Sequence, residues 1–230
     1  MVTFLGSQLG FLCATTWRIG RTQIKSTIPS TLILVRHGHV EGISPERFRG
    51  RSDLPLTALG LKQSKETAQF ISSKWNADQV YSSPLQRCVT TAKIIAQHQN
   101  LEVKSLDQLI DIDYGKWQGQ TVEHVQSVQP YLYRRWLKHP QYTVMEDGET
   151  LADVQARLVR AFDHICKAHP DGTVIAVGHD SVIRIFLALL LNMPLSSYWQ
   201  IEQDPCAVNV VRFLDDECKV DCINTTAHLA

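Results

Sequence analysis

Four aliphatic residues, at positions 32–35, lead directly into Arg36, His37 and Gly38. A neutral imidazole can act as a nucleophile or a proton carrier, and a neighbouring guanidinium favours a negatively charged ligand. A single Arg-His-Gly triplet is a weak signal, since a histidine at the end of a strand is often structural. The interpretation therefore depends on what else the chain brings to this point.

Two later segments also place polar residues where an apolar strand is expected to end. Ser82 and Ser83 follow one such strand and precede Arg87, and Gly178-His179 follows another. Arg87 falls in the first turn of an expected helix, where free backbone N–H groups and the helix dipole favour an anion. Guanidinium groups match phosphate oxygens two at a time. Together with the first segment, these residues predict a pocket for a phosphate dianion.

The strands that carry these residues are expected to share one sheet. Residues 32–35, and residues 174–177 of the expected strand 173–177, are continuously apolar, which is typical of strands covered on both faces in a parallel α/β sheet. Ligands of such sheets bind beyond the carboxyl ends of the strands, where the polar segments would meet. The helix after residue 82 is expected to have a serine cap and Pro84 at its first position. The other expected strands cover residues 79–81, 101–106, 207–214 and 219–224. The expected helices cover residues 57–73, 84–96, 150–165 and 181–191, with shorter helices between residues 121 and 138.

Composition limits the class of partner and the domain organisation. The 230 residues are 44% hydrophobic and 20% charged, which suits one globular domain with a core on both faces of a sheet. The formal net charge is zero, so neither nucleic acid nor a membrane is expected as a partner. The six cysteines include no Cys-x-x-Cys pair, which favours the reducing cytoplasm. Residues 1–30 contain no acidic residue and are expected to be a poorly ordered extension, or a transit-like segment, before a domain over residues 31–230.

Several short motifs occur in a fixed order along the chain, and the ordered set is far more specific than any one of them. The motifs are Arg36-His37-Gly38, Arg47-Phe48-Arg49-Gly50, Asp53-Leu54-Pro55-Leu56-Thr57 with Gly60, Ser82-Ser83-Pro84-Leu85-Gln86-Arg87, Asp111-Ile112-Asp113-Tyr114-Gly115-Lys116-Trp117-Gln118-Gly119, Gly148-Glu149-Thr150 and Val177-Gly178-His179. Over about residues 31–214 the chain thereby resembles the histidine phosphatase superfamily, also called the phosphoglycerate mutase-like family. This resemblance implies an α/β fold, built as a three-layer α/β/α sandwich with a mostly parallel sheet.

The resemblance also implies a phosphohistidine mechanism without a metal or another cofactor. It assigns His37 as the catalytic nucleophile and places Arg36, Arg87 and His179 around the phosphoryl group as catalytic and substrate-binding residues. The chemistry suits these residue types, because a neutral imidazole can attack phosphorus and form a covalent intermediate. Guanidinium groups, and His179 if it is protonated beside the anion, would stabilise charge on the phosphoryl oxygens.

The proton donor for the leaving group is expected in the loop before Trp117. The family's carboxylate maps to Asp111, where many members have glutamate, and Asp113 is the alternative. The family often has an asparagine that contacts phosphate where this chain has Ile43. Arg49 is expected to replace that contact from a loop over the pocket, and Gly50 beside it is expected to bind substrate as well.

Other residues near these motifs receive structural interpretations. Asp180 is expected to cap the helix that begins at Ser181, and Arg184 is expected to be a buried partner of the site rather than a direct ligand. Tyr114 and Trp117 are interpreted as packing and loop-closure residues.

Three functions remain open at this point. The compact segment after Trp117 resembles the phosphatase branch of the family, which predicts hydrolysis of a small phosphorylated metabolite. A phosphoglycerate mutase-type phosphoryl transfer would instead depend on a bisphosphate primer. A non-catalytic anion-binding protein would bind phosphate without turnover. The sequence carries no prediction of the oligomeric state.

Overall fold

The computed structural model describes residues 31–42, 46–214 and 217–229. The N-terminal extension and Ile43 lie outside these ranges, so the expectations stated for both remain predictions. Within the described part of the chain, no helix has the length and apolar character needed to cross a bilayer.

The described strands form one sheet in the order β3-β2-β4-β1-β5-β6. Its strands are β1 (Thr31–Arg36), β2 (Gln79–Ser82), β3 (Val103–Ser105), β4 (Thr173–Gly178), β5 (Val208–Leu214) and β6 (Glu217–Thr225). The first four strands pair in parallel, whereas β5 pairs antiparallel with β1 and with β6. The predicted mostly parallel α/β sheet is therefore confirmed, although β3 is shorter than the six residues predicted for it.

Helices cover both faces of this sheet. The α-helices are α1 (Ala58–Ser72), α2 (Gln86–Gln99), α3 (Val122–Val128), α4 (Pro130–Lys138), α5 (Leu151–Ala168) and α6 (Asp180–Leu190). Alternate residues of β1 point to opposite faces: Leu32 and Leu34 pack in the core with α5 and α6, and Ile33 and Val35 in the core with α1 and α2. This explains why the four positions between Thr31 and Arg36 are all apolar, and it confirms the three-layer α/β/α sandwich.

The start of α2 differs from the prediction, which placed Pro84 at the first helical position after a serine cap. The helix begins at Gln86 instead. Ser83 does not cap the helix, because its hydroxyl accepts the N–H of Leu85, the residue before the helix, at 3.4 Å and lies 2.7 Å from Nε2 of His179. The first free N–H group of the helix, on Gln86, donates to Oδ1 of Asp53 at 2.7 Å. A carboxylate from a distant loop thus replaces the local cap.

This contact predicts that Asp53→Ala destabilises the fold by about 1 kcal/mol, the usual effect of removing a helix cap. Because the capped helix carries Arg87 in its first turn, the increase in stability on adding phosphate should also be smaller. The measurement is the denaturant midpoint with and without phosphate. Asp53→Asn keeps an oxygen acceptor and should lose less, so an unchanged midpoint for Asp53→Ala would contradict the capping role.

Candidate active site

Polar residues that follow three neighbouring strands meet at one edge of the sheet. His37 follows β1, Ser83 follows β2 and His179 follows β4, and all three are buried. The ring centroids of His37 and His179 are 5.3 Å apart in an edge-on arrangement. The structure thus brings together the residues that the sequence analysis placed at the strand ends.

The tautomer of His37 is fixed by two partners of opposite kind. Its Nδ1 lies 2.7 Å from the carbonyl oxygen of Gly38, which can only accept, so Nδ1 carries the proton. Its Nε2 accepts from Nε of Arg87 at 3.3 Å and therefore presents a lone pair. Burial, followed by the charges of Arg87 and Arg36, lowers the pKa of His37 well below its ordinary value. A neutral imidazole with an unprotonated Nε2 is the form that can attack phosphorus, once the contact with Arg87 gives way to the substrate.

Gly38 leaves no room for a side chain at this point. A Cβ there would lie 2.5 Å from the carbonyl oxygen of Gly60. The Gly38 N–H donates to Oγ1 of Thr91 at 3.1 Å, which further fixes the residue whose carbonyl group orients the His37 ring.

The Arg87 guanidinium is completely buried and held on all sides. Besides the His37 contact, it donates to the carbonyl oxygens of Ser52 at 2.6 Å and Gly50 at 2.7 Å. Its Nη2 also donates to Oδ2 of Asp111 at 3.1 Å. Gly50 adopts a φ of +44°, a region that favours glycine. The plane of the guanidinium is therefore fixed beside the imidazole, and Gly50 contributes through Arg87 as well as lining the cavity described below.

Arg36 and Arg49 add two further guanidinium groups. Arg36 is 7% exposed and donates from Nη1 to the carbonyl oxygen of Gln203, but its Nε is buried without a hydrogen-bond partner. An unpaired buried donor is costly, so this N–H suits an oxygen of a bound anion. Arg49 donates to the carbonyl oxygen of Gly42 at 2.7 Å. Burial and the neighbouring Arg36 charge lower the pKa of Arg49, as expected where positive charges are crowded.

The Asp111 carboxyl group faces both Arg87 and His179. One oxygen, Oδ1, accepts the N–H of Ile112 at 2.9 Å, while Oδ2 lies 3.6 Å from Nδ1 of His179. Burial raises the pKa of Asp111, although the Arg87 charge opposes this effect. The carboxyl group can therefore hold a proton at a higher pH than an ordinary aspartate.

Asp113, the alternative proton donor, points elsewhere. Its carboxylate lies 3.2 Å from Nη1 of Arg51 and accepts the N–H of Gly115 at 2.8 Å. Arg51 also pairs with Glu149, so these residues form an ion-pair cluster beside the site. Of the two carboxylates, Asp111 is the one that contacts Arg87.

His179 is completely buried, and its Nε2 also lies 3.4 Å from Sγ of Cys88. Burial, then the charges of Arg87 and His37, lowers the pKa of His179 well below its ordinary value. The protein by itself therefore favours the neutral form of His179, and the expected protonated form beside a bound anion stays a prediction. Protonation would require the field of an anion bound beside it.

A cavity of about 90 Å³ adjoins this cluster, and Arg87 and His179 are not among the residues that line it. Its lining on the side of the strand ends includes Arg36, His37, Arg49, Gly50 and Asp111. The rest of the lining is formed by Glu46, Arg47, Phe48, Tyr114, Val122, Trp136, Asp180, Ser181, Arg184, Tyr198 and Trp199.

Much of this second group was absent from the sequence analysis or was given a different role. Tyr114 lines the cavity and is not only a packing residue, whereas Trp117 is buried in the core as predicted. Asp180 is the first residue of α6 rather than its cap, and it pairs with Arg184 one turn later. Tyr198 and Trp199 come from the segment after α6, where no sequence signal links them to the site.

Comparisons with known proteins agree with this architecture. Residues 32–226 match the family model described as histidine phosphatase superfamily (branch 1). Phosphoserine phosphatase 1 of Hydrogenobacter thermophilus is 36% identical over 198 residues, which cover 86% of this chain and 93% of that protein. Three further curated relatives, from Mycobacterium bovis and Mycobacterium tuberculosis, are 31% identical over 202 residues and are longer proteins, of which the chain spans 55%.

Solved structures show the same fold. A phosphoserine phosphatase from Entamoeba histolytica, in complex with phosphoserine, matches with a TM-score of 0.79 at 27% identity, over 88% of this chain and 100% of that chain. Bacillus stearothermophilus YhfR matches with a TM-score of 0.81 at 24% identity, over 87% of this chain and 99% of that chain.

Proposed function

Because the chain belongs to the histidine phosphatase superfamily (branch 1), we propose that it hydrolyses small phosphomonoesters through a phosphohistidine formed on His37. The observation that carries this proposal is the His37 ring itself. Its lowered pKa favours the neutral form, its tautomer is fixed, and its unprotonated Nε2 lies 3.3 Å from Nε of Arg87. A nucleophile surrounded by positively charged side chains suits an anionic phosphoryl group.

The first step breaks the ester bond between phosphorus and the leaving oxygen. Nε2 of His37 attacks phosphorus in line, and the leaving oxygen takes the proton of Asp111. Arg36, Arg87 and Arg49 stabilise the charge on the equatorial oxygens, so the proposed mechanism needs no metal ion. In the second step, Asp111 accepts a proton from water, which attacks the phosphohistidine and releases inorganic phosphate.

The size of the cavity limits the substrate. Sites for drug-sized ligands usually enclose about 300–1,000 Å³, whereas this cavity measures about 90 Å³. It suits a phosphoryl group with a few further heavy atoms, such as the phosphoserine named for two of the relatives, better than a nucleoside or a glycosylated ester.

The test is phosphate release from an aryl phosphate in excess chelator, combined with trapping of the phosphoprotein. We expect turnover under these conditions and a phosphoprotein that is labile to acid and stable to alkali, as a phosphoramidate is. A requirement for added metal would contradict the metal-free mechanism, and activity only with a bisphosphate primer would indicate a mutase. Phosphate that protects the thermal transition without any turnover would indicate the anion-binding protein.

The two pKa shifts at the site predict an acidic pH optimum. The lowered pKa of His37 keeps the nucleophile neutral down to low pH, whereas Asp111 must be protonated in the first step. Activity should therefore fall as pH rises through the raised pKa of Asp111. The measurement is kcat against pH, which reports groups in the bound complex rather than ionisation of free substrate. A descending limb that persists unchanged in Asp111→Asn would contradict the assignment.

A further inference from the structure

An ion pair lies in the wall of the cavity, apart from the phosphoryl-binding arginines. Asp180 and Arg184 stand one turn apart on α6, and Nε of Arg184 donates to Oδ1 of Asp180. Both side chains line the cavity, and they are 30% and 10% exposed, respectively. The pair is therefore within reach of a leaving group whose phosphoryl group lies at His37.

The Arg184 guanidinium is held in place by aromatic rings. It lies 5.5 Å from the ring centre of Tyr198 and 5.2 Å from that of Trp199, distances at which a cation and a ring attract. Its Nη1 has one long contact, 3.5 Å to the carbonyl oxygen of Tyr198. The guanidinium is fixed in position, and its Nη groups make only this one long hydrogen bond within the part of the chain that the structure describes. It can therefore donate to a carboxylate without first being ordered.

The hydroxyl groups beside the pair are already paired with one another. The Ser181 hydroxyl lies 3.0 Å from that of Tyr114 and accepts the hydroxyl of Tyr198 at 2.8 Å. Burial raises the pKa of both phenols, which keeps them neutral. The wall around the ion pair is thus rigid and uncharged. The other charged residues of this part of the lining, Glu46 and Arg47, are exposed to solvent, where charge contributes less to recognition.

A lone cation at this position would favour any second anionic group. A cation next to an anion has a different preference. Asp180 would repel a ligand that carries only a carboxylate, and Arg184 would repel a ligand that carries only an ammonium. A group that carries both charges on one carbon can replace the internal ion pair with two contacts, each of opposite sign.

From this juxtaposition we propose that Arg184 and Asp180 recognise the carboxylate and the ammonium of the leaving group, which makes the substrate a small O-phosphorylated α-amino acid. This inference rests on the proposed function. The ester bond breaks as described above, with the phosphoryl group transferred to Nε2 of His37. The leaving oxygen takes the Asp111 proton, so the amino acid departs with its ammonium and carboxylate unchanged.

The test compares four esters of similar size. Phosphoserine carries both charges, 3-phosphoglycerate only the carboxylate, phosphoethanolamine only the ammonium, and glycerol 3-phosphate neither. We expect kcat/KM for phosphoserine to exceed that for each of the others by at least about tenfold, with an aryl phosphate as the reference for turnover. A second ester turned over as well as phosphoserine would overturn the inference, while activity on the aryl phosphate would leave the proposed function standing. No turnover of any ester would overturn both.

Variants separate recognition from a structural role of the pair. Asp180→Asn should shift the preference toward 3-phosphoglycerate, and Arg184→Gln should shift it toward phosphoethanolamine, each by at least about tenfold relative to phosphoserine. Arg184→Lys should retain part of the preference for phosphoserine. A pair that only supports the fold would lower all four activities alike, and that result would overturn the assignment. The matched control is Arg160→Gln, an exposed position on α5, which should change none of the ratios.

Discussion

His37→Ala is expected to lower the rate of phosphate release by at least about 10⁴-fold, because no other group can form the covalent intermediate. Cys88 cannot substitute as a nucleophile, since burial raises its thiol pKa far above the working pH range. The measurement is single-turnover phosphate release together with phosphoprotein trapping, both of which should fall to the background.

Two controls separate loss of chemistry from loss of the pocket. His98→Ala removes an exposed imidazole from α2 and should leave the rate unchanged. In His37→Ala the guanidinium groups of Arg36 and Arg87 remain, so phosphate should still raise the thermal transition. A variant that keeps more than a few per cent of the parent rate, or that still forms an acid-labile phosphoprotein, would place the nucleophile elsewhere.

The residues at the reacting end of the cavity can be predicted from the sequence because each is adjacent in the chain to a recognisable strand. Arg36, His37 and His179 lie next to the ends of buried strands, and buried strands can be recognised from uninterrupted aliphatic runs. Parallel pairing then brings those ends to one edge, as β1 and β4 show. The prediction for the start of α2 was wrong because its cap is not local in the sequence. The first N–H group of the helix is capped by Asp53 from a distant loop.

The leaving-group end of the cavity depends on tertiary contacts that have no local signature. Tyr198 and Trp199 reach the cavity only because the segment after α6 folds back against Arg184. The pKa of His179 is a second example: the residue type suggests a cation, but complete burial among positive charges favours the neutral form. Burial of a side chain follows from the packing of all layers, which the sequence of one strand end does not specify.

Asp111→Asn is expected to lower kcat for an alkyl phosphate by about 10²- to 10⁴-fold, the usual contribution of a general acid. The amide is nearly isosteric and can still accept from Arg87, so the guanidinium should keep its position. KM should stay the same or fall, because removal of a negative charge next to the phosphoryl site favours a dianion. Asp113→Asn is the matched control and should cost much less, since its carboxylate pairs with Arg51 rather than with Arg87.

The dependence on the leaving group makes this prediction specific to proton donation. An aryl oxygen that carries an electron-withdrawing ring leaves as a stable anion and needs little help from an acid, whereas an alkoxide must be protonated. Asp111→Asn should therefore retain much more of the parent rate with the aryl phosphate than with an alkyl phosphate. If both esters lose the same factor, Asp111 acts by positioning Arg87 and His179 and the proton comes from another group. A larger loss in Asp113→Asn than in Asp111→Asn would identify that group as Asp113.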